Sequence, residues 1–346
     1  MAAMATIYQF MRGAEALRVV HDGAALISGE GDHKVVQRFA SGRAAREQLE
    51  GILLQRLQAG YRLETSTMEL KPGQLELDEV AEFVQWDEGS GRMTVTFRGD
   101  GPAPCAAIVA CAAATRPTCL CVVGSPGPAF ARALTAAPLP SVRRFVFDAP
   151  GPMRGCSPGD LGEVLAGFPA LESAFIRGEL TLRASVHPHL RELWLLGEPW
   201  QPAAMSAMGR CSFPALERLG VGLGLAEGLG PDRTVQALQA LDAAELRVVA
   251  VEGIGDLEQF LAQLLARPLP GRWSRLYLNG AIGDEQRFAL CLEHHRVALG
   301  SLESLALPLC DGLSGAAEER VRGWLPSLVD CEEVPDPFLP GNYEGW

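Results

Sequence analysis

The motif GCSPG at residues 155–159 has the spacing of a hydrolase nucleophile, because it matches the pattern G-x-S-x-G. In such an elbow, the backbone N–H of the residue after the serine helps to stabilise the oxyanion. Here that residue is Pro158, which has no N–H. We therefore expect Ser157 to lie in a turn before a helix that begins near Asp160, and not to act as a nucleophile.

Two glycine-rich segments are candidates for a phosphate cradle. The segment GVGLGLAEGLG, residues 220–230, lacks the G-K-[ST] of a P-loop, and no well-placed acidic residue completes a dinucleotide fingerprint. In CVVGSPGPAF, residues 121–130, Pro126 and Pro128 remove amides that a phosphate would need. The first segment is predicted to be a return loop, and no cofactor is predicted.

The cysteines and two adjacent histidines are the candidates for metal ligands. The densest sulfur cluster is Cys105, Cys111, Cys119 and Cys121. Its spacing is not that of a zinc finger or ribbon, and Cys119 and Cys121 share one strand face, as buried small residues do. His294 and His295 are about 100° apart on a helix, so they cannot chelate one ion as an i, i+4 pair does. No metal site is predicted.

The acidic residues and the other histidines have structural explanations. Asp160, Asp256 and Asp284 each precede a segment of helical pattern, where a carboxylate caps the first turn. His187 and His189 are expected at the surface. No acid pair stands out against this background, so the sequence predicts that the chain is not an enzyme.

Composition and charge limit the classes of partner. The chain has 346 residues, 48% of them hydrophobic, and a net charge of -12, which argues against broad binding to nucleic acid or anionic membranes. Only Lys34 and Lys71 are lysines among 30 basic residues, a bias typical of a high-GC bacterial genome. Nine cysteines without a C-x-x-C pair indicate reduced thiols, and no signal peptide or membrane span is evident, so we expect a cytoplasmic protein.

The segment PHLRELWLLG, residues 188–197, carries the triplet L-x-x-L-x-L, which recurs along the chain. The first residues of the triplets are spaced by 29, 19, 26, 30, 27 and 29 residues, and Leu328 begins a truncated copy. The triplets are Val142, Phe145, Phe147; Leu171, Ala174, Ile176; Leu190, Leu193, Leu195; Leu216, Leu219, Val221; Leu246, Val249, Val251; Trp273, Leu276, Leu278; and Leu302, Leu305, Leu307.

This pattern resembles the leucine-rich repeat family, and the unit length with helices is most similar to its ribonuclease-inhibitor-like class. The resemblance implies an α/β solenoid with parallel strands on the concave side and helices outside. The repeats are irregular, since Asn279 alone supplies the family's usual asparagine and the 19-residue spacing leaves no room for a helix at 177–187. The alternative is a doubly wound sheet with helices on both faces.

Residues 6–63 predict a different module. The segments TIYQFM, LRVVHD, ALISGEG and KVVQRFAS are expected to be short strands, followed by a helix that Ser41 caps and Gly60 ends. This order, with a terminal AGY, resembles the WGR domain, a small α+β module. The tripeptide that names that family is replaced near Ala25–Ser28 by ALIS, and Glu30 and Asp32 would repel phosphate. A protein-docking or structural role is therefore expected for it.

The repeat resemblance implies which side chains point to the concave face, because side chains alternate along a strand. We expect an exposed protein-binding surface there, rich in aromatic residues and arginine, which favour binding hot spots. The predicted protein-binding residues are Arg144, Phe175, Arg177, Glu192, Trp194, Arg218, Arg275, Tyr277 and Asn279. The alternatives are that this face is merely solvated or that the C-terminal segment folds over it.

The sequence thus predicts residues 1–68 as a WGR-like domain, 69–104 as a linker and cap, 105–332 as the repeat domain, and 333–346 as an extended tail. The expected function is that of a non-catalytic adaptor that binds a protein partner. The alternative is a nucleic-acid-associated adaptor acting through Arg12, Arg18, Lys34, Arg38 and Arg43. The tail could dock on another protein or on its own repeats through Phe338, Tyr343 and Trp346, or fasten the last repeat.

Overall fold

A computed structural model describes residues 3–12, 15–22, 25–30, 33–70, 80, 83–97, 104–148, 157–197, 200–224, 230–270, 272–308 and 313–331. The chain divides into two compact units. The first comprises Met1–Val95 and Pro104–Pro117, and the second comprises Thr96–Ala103 and Thr118–Trp346.

The first unit contains an antiparallel sheet in the order β4-β3-β2-β1-β5. Its strands are β1 (Ala3–Arg12), β2 (Glu15–Asp22), β3 (Ala25–Glu30), β4 (His33–Arg38) and β5 (Arg62–Leu70), and helix α1 (Gly42–Gln58) connects the last two. β6 (Val84–Asp87) and β7 (Arg92–Thr96) form a hairpin, and helix α2 spans Cys105–Thr115. The four strands and the helix predicted for residues 6–63 are therefore confirmed.

The core of the first unit lies between its sheet and α1. Phe10, Val19 and Leu26, from three neighbouring strands, are buried with Leu49 of the helix. The side chain of Ser41 accepts a hydrogen bond from the backbone N–H of Ala44, as the N-cap prediction requires. Gly60 follows the C-cap residue Ala59, and its φ of 83° is readily adopted by glycine.

The second unit is built on parallel strands paired in chain order. They are β8 (Cys119–Val123), β9 (Arg144–Asp148), β10 (Ser173–Gly178), β11 (Glu192–Gly197), β12 (Arg218–Gly222), β13 (Val248–Ile254), β14 (Arg275–Gly280), β15 (Ser304–Leu307) and β16 (Leu328–Asp330). The helices are α3 (Pro128–Ala136), α4 (Leu161–Ala166), α5 (Pro202–Met208), α6 (Pro231–Ala240), α7 (Leu257–Leu264), α8 (Glu285–His294), α9 (Arg296–Leu299) and α10 (Gly315–Trp324).

The predicted triplets form the core of this unit. All seven are buried, and equivalent members face each other across the strands, as Leu193 of β11 does with Leu219 of β12. Burying a leucine, valine or phenylalanine side chain contributes about 1.5–3 kcal/mol before the entropic cost of ordering it. The recurrence of the triplet in the sequence is therefore the recurrence of one buried layer.

Helices connect most of the strands and contact one another in turn: α3 with α4, α5 with α6, α6 with α7, α7 with α8, and α8 with α10. The carboxylates of Asp160, Asp256 and Asp284 accept hydrogen bonds from the N–H groups three residues ahead, which confirms their capping role. The described residues between β10 and β11 contain no helix, as the short spacing predicts. There Thr181 and Val186 form isolated bridges to neighbouring connections.

A ladder of alternating charge precedes the strands of the second unit. The residues directly before β9 to β15 are Arg143, Glu172, Arg191, Glu217, Arg247, Ser274 and Glu303, and we call them the charge ladder. Each backbone N–H after the first donates to the carbonyl of the preceding member, at 2.7–2.9 Å. Arg143 also pairs with Glu172 at 3.1 Å and Arg191 with Glu217 at 3.6 Å. The apolar triplets did not predict this ladder.

No helix among the described residues is both long enough and apolar enough to cross a membrane.

Candidate functional site

The nine residues predicted to bind a protein lie on strands β9 to β14 of the second unit. The strand register groups them into rows that run across the sheet. The central row is Val146, Phe175, Trp194, Gly220, Ala250, Tyr277 and Ala306. The arginine row, two residues earlier in each strand, is Arg144, Ser173, Glu192, Arg218, Val248, Arg275 and Ser304.

The third row lies two residues after the central one and is less regular. It contains Asp148, Arg177, Leu196, Gly222 and Glu252. Between β13 and β14 the register shifts after Val251, so Asn279 does not stand opposite Glu252. Asn279 is half-buried near the end of β14.

The expectation that the central row is exposed is wrong. Phe175 is 2% exposed, Trp194 0% and Tyr277 4%. Strand alternation places these side chains on the expected side of the sheet, but it says nothing about what covers that side. They belong to an apolar cluster with Val248 and Cys331 that is separate from the layer of triplets.

Within this cluster, Trp194 lies against Gly220 of the neighbouring strand β12. The six-membered ring of the indole occupies the space that a Cβ on Gly220 would need. The absence of a Cβ at Gly220 therefore leaves room for the indole of Trp194 over the neighbouring strand. Phe175 stands opposite Trp194 on its other side, on β10.

Apart from the buried Val248, the arginine row is half-buried, and hydrogen bonds join it at its centre. The Arg218 Nη1 donates to the Glu192 Oε1 at 3.1 Å, and the Ser173 hydroxyl donates to the Glu192 Oε2 at 3.3 Å. The side chains of Arg218 and Glu192 are 28% and 24% exposed. Farther along, the Arg275 Nε lies 3.6 Å from the Glu303 Oε2. These side chains are fixed in position yet accessible.

A second ion pair lies at the carboxyl ends of β9 and β10. The Arg177 Nη1 is 3.7 Å from the Asp148 Oδ1, and the Arg177 guanidinium carbon is 5.9 Å from the centre of the Phe175 ring. A guanidinium within about 6 Å of an aromatic ring is attracted by its π electrons. Arg177 therefore connects the third row to the buried central row.

Cys331 ends the cluster at the last strand, and sequence reasoning did not identify it. Its thiol lies 3.8 Å from the Leu278 carbonyl oxygen. Burial raises the pKa of the Cys331 thiol to about 12, although a hydrogen bond from Tyr277 lowers it. The group is therefore a neutral thiol near pH 7, a packing residue and not a nucleophile.

The rejected motifs have structural roles where they are described. The Ser157 Oγ accepts a hydrogen bond from the Gly159 N–H at 3.1 Å, in a turn before α4. The sulfurs of Cys119 and Cys121 are 3.8 Å apart on one face of β8. In the described part of the chain, no three His, Cys, Asp or Glu residues are grouped as metal ligands. Residues 225–229 of the glycine-rich segment and residues 332–346, which include the predicted tail, lie outside the described residues.

His187 corrects another expectation, because it is buried at 3% exposure while His189 is exposed. Its Nε2 lies 2.9 Å from the Phe168 carbonyl oxygen. Burial lowers the pKa of His187, and the nearby His189 lowers it further, against the hydrogen bond to Phe168. His187 is therefore a neutral core residue, and it connects the segment before β11 to the segment before β10.

Comparison with known proteins shows distant structural likeness alone. No protein-family model matches the chain, and no curated protein matches it. A crystal structure of a Bacteroides fragilis protein, solved as a structural-genomics target, aligns with 96% of this chain and 97% of that chain. The two share 13% sequence identity with a TM-score of 0.36, too low a similarity to transfer a fold or a function.

Proposed function

We propose that the chain is a non-catalytic cytoplasmic adaptor that binds a protein partner through the arginine row of its second unit. In this proposal the second unit is an irregular leucine-rich repeat array, similar to the ribonuclease-inhibitor-like class. Support comes from the triplets, which lie in register across parallel strands, and from helices that contact one another in turn. A doubly wound sheet does not require one triplet in every strand.

The observation that carries the proposal is the fixed and accessible charge of the arginine row. Glu192 holds Arg218 and Ser173 in place, so these side chains lose little freedom when a partner binds. The strands beneath them are anchored by the buried central row, and sites built on strands are positioned more precisely than sites on loops. Arginine is among the residues that most often dominate binding energy.

The chemistry of the row favours a partner surface that presents carboxylates. The row contains three arginines, namely Arg144, Arg218 and Arg275, and one acid, Glu192. Arginine forms forked hydrogen bonds with carboxylates. The buried Phe175, Trp194 and Tyr277 then act as support for the row, and not as contact residues as the sequence predicted. Arg177 and Asn279, both half-buried, extend the surface toward the carboxyl ends of the strands.

The test is affinity purification of the partner from the native host, followed by a comparison of two variants of equal charge. R144A/R218A/R275A removes the arginine row, and R233A/R267A/R287A removes three exposed arginines elsewhere in the same unit. We expect the first variant to lose the partner and the second to retain it. Equal recovery with both variants, at unchanged thermal stability, would exclude the arginine row as the binding surface.

For the first unit we propose a WGR-like module with a structural or protein-docking role. Its order of four strands, helix and fifth strand supports this proposal. Arg12, one of the residues that could contact nucleic acid, is used within the unit. Its guanidinium lies 4.7 Å from the centre of the Tyr61 ring and donates to the Ala59 carbonyl at 3.4 Å.

A further inference from the structure

The central row lies on one face of the sheet, and the strands that carry it do not cover that face from above. The apolar residues of the cluster are Phe175, Trp194, Val248, Ala250, Tyr277, Ala306 and Cys331, with Val146, Leu196 and Val329 packed against them. All except Cys331 lie on strands, and the described helices contribute none of them. Neighbouring strands are about 4.8 Å apart, so their side chains shield each other only laterally. The complete burial of Trp194 requires atoms above this face.

The described chain ends on the same face. Cys331 follows the last strand, β16, and its side chain is part of the apolar cluster, next to Tyr277 and Leu278. The last described side chain before residues 332–346 therefore packs on the face of the central row and not on the side of the triplets.

The segment that follows, EEVPDPFLPGNYEGW, comprises residues 332–346, which lie outside the described residues. Among the segments that the structure does not describe, it alone contains Phe, Tyr or Trp. It also carries four acidic residues and neither Lys nor Arg. Its charge is thus opposite to that of the arginine row, which borders the central row.

The length of this segment matches the distance it must cover. Trp194 lies on β11, five strands away from β16, which corresponds to about 24 Å at the usual strand spacing. Phe338 comes seven residues after Cys331, and seven extended residues span about 23 Å. Phe338 can therefore reach the region of Trp194 if the seven residues after Cys331 are extended.

We propose that residues 332–346 dock across the central row of their own chain, with Phe338 against the Trp194 region and the acidic residues toward the arginine row. The segment then fills the face on which the sequence suggests that a partner binds. Because the acidic residues of the segment then lie toward the arginine row, a partner that presents carboxylates must compete with them for these arginines. The inference goes beyond the proposed function and does not depend on it, because its test uses the chain alone.

Hydroxyl-radical footprinting of the full chain tests the proposal, because it measures the access of solvent to individual side chains. We compare the native chain with F338A/Y343A/W346A, and with L54A/V186A/V297A as a control that truncates three exposed apolar side chains. We expect oxidation of Trp194 and Tyr277 to rise roughly tenfold or more only in the first variant, as local exposure predicts. Trp200 is the internal reference, since its indole N–H donates to the Gly222 carbonyl at 2.7 Å within the repeats.

Two outcomes would overturn the proposal: protection of Trp194 that is unchanged in F338A/Y343A/W346A, or oxidation of Trp194 in the native chain. A second measurement avoids any loss of folding. With p-benzoylphenylalanine in place of Phe338 in the otherwise native chain, we expect light-induced cross-links to peptides of β10 to β14. Cross-links confined to other parts of the chain, or to other molecules, would overturn the proposal as well.

Discussion

The indole of Trp194 lies over Gly220 of the adjacent strand, in the space where any larger residue would place its Cβ. This contact is made in the middle of the sheet, where the backbone pairing of β11 and β12 fixes both residues. Neither can shift without disturbing the register. The pair therefore gives a direct measure of how strongly the central row contributes to stability.

We predict that Gly220→Ala destabilises the chain by about 1–3 kcal/mol, the usual cost of overpacking a core. The added methyl group must displace the indole of Trp194. Urea unfolding at constant pH measures the change. Gly255→Ala is the matched control, because a Cβ there meets no atom within 4 Å. An equal loss in both variants would show that the contact with Trp194 is not the cause.

His187 should make stability depend on pH. Burial lowers its pKa in the folded chain, so the unfolded chain binds the proton more tightly. Stability is therefore fully retained above the unfolded pKa of about 6.5 and falls as the pH drops below it, by at most about 1.4 kcal/mol per pH unit. In His187→Gln, the slope of unfolding free energy against pH between about 6.5 and 5 should decrease.

The control for this pH effect is His189→Gln, since His189 is exposed two residues away. It should reduce the slope much less than His187→Gln does, because it removes only the smaller contribution of His189 to the pKa of His187. If the two variants have the same pH profile as the native chain, the buried imidazole does not cause the acid sensitivity.

Asp256→Ala should cost about 0.5–2 kcal/mol, because the carboxylate caps α7 through the N–H of Gln259 at 2.9 Å. Asp256→Ser keeps an N-cap oxygen and should retain most of the stability. Thermal unfolding of the three chains distinguishes the outcomes. Equal losses for alanine and serine would mean that the carboxylate acts by something other than capping.

The full chain should not be retained on duplex DNA, even at about 50 mM salt, where electrostatic binding is strong. Its net charge is -12, and Arg12 is engaged with Tyr61 and Ala59. A column of immobilised DNA with a salt gradient provides the measurement. Retention that weakens steeply with salt would favour the alternative of a nucleic-acid-associated adaptor.

The sequence predicted the layer of triplets because burial of one strand face leaves a periodic trace. Leu193 and Leu219 had to be apolar, and their equivalent places in the triplet predicted that they face each other across the strands. The capping role of Asp256 and Asp284 was predictable for a similar reason, since a helix start requires an acceptor at one position. These features depend on local chemistry that recurs at each strand and at each helix start.

The burial of the central row was not predictable in this way. Alternation assigns Trp194 to one side of the sheet, but its burial depends on distant parts of the chain, and these leave no periodic trace. The same holds for His187, whose partner is the carbonyl of Phe168 in the preceding repeat. The charge ladder was not predicted, because Arg143 and Glu172 fall between the apolar positions of the triplets.

The alternation of the charge ladder has a consequence for how the array can change its length. Deleting the repeat that carries Arg191 would bring Glu172 beside Glu217, two like charges in place of an attractive pair. Deleting the two units that carry Arg191 and Glu217 would instead bring Glu172 beside Arg247 and preserve the order of signs. Exposed pairs contribute only about 0–1 kcal/mol each, so this is a bias and not a barrier. Loss of these two units together should therefore be tolerated better than loss of the Arg191 unit alone.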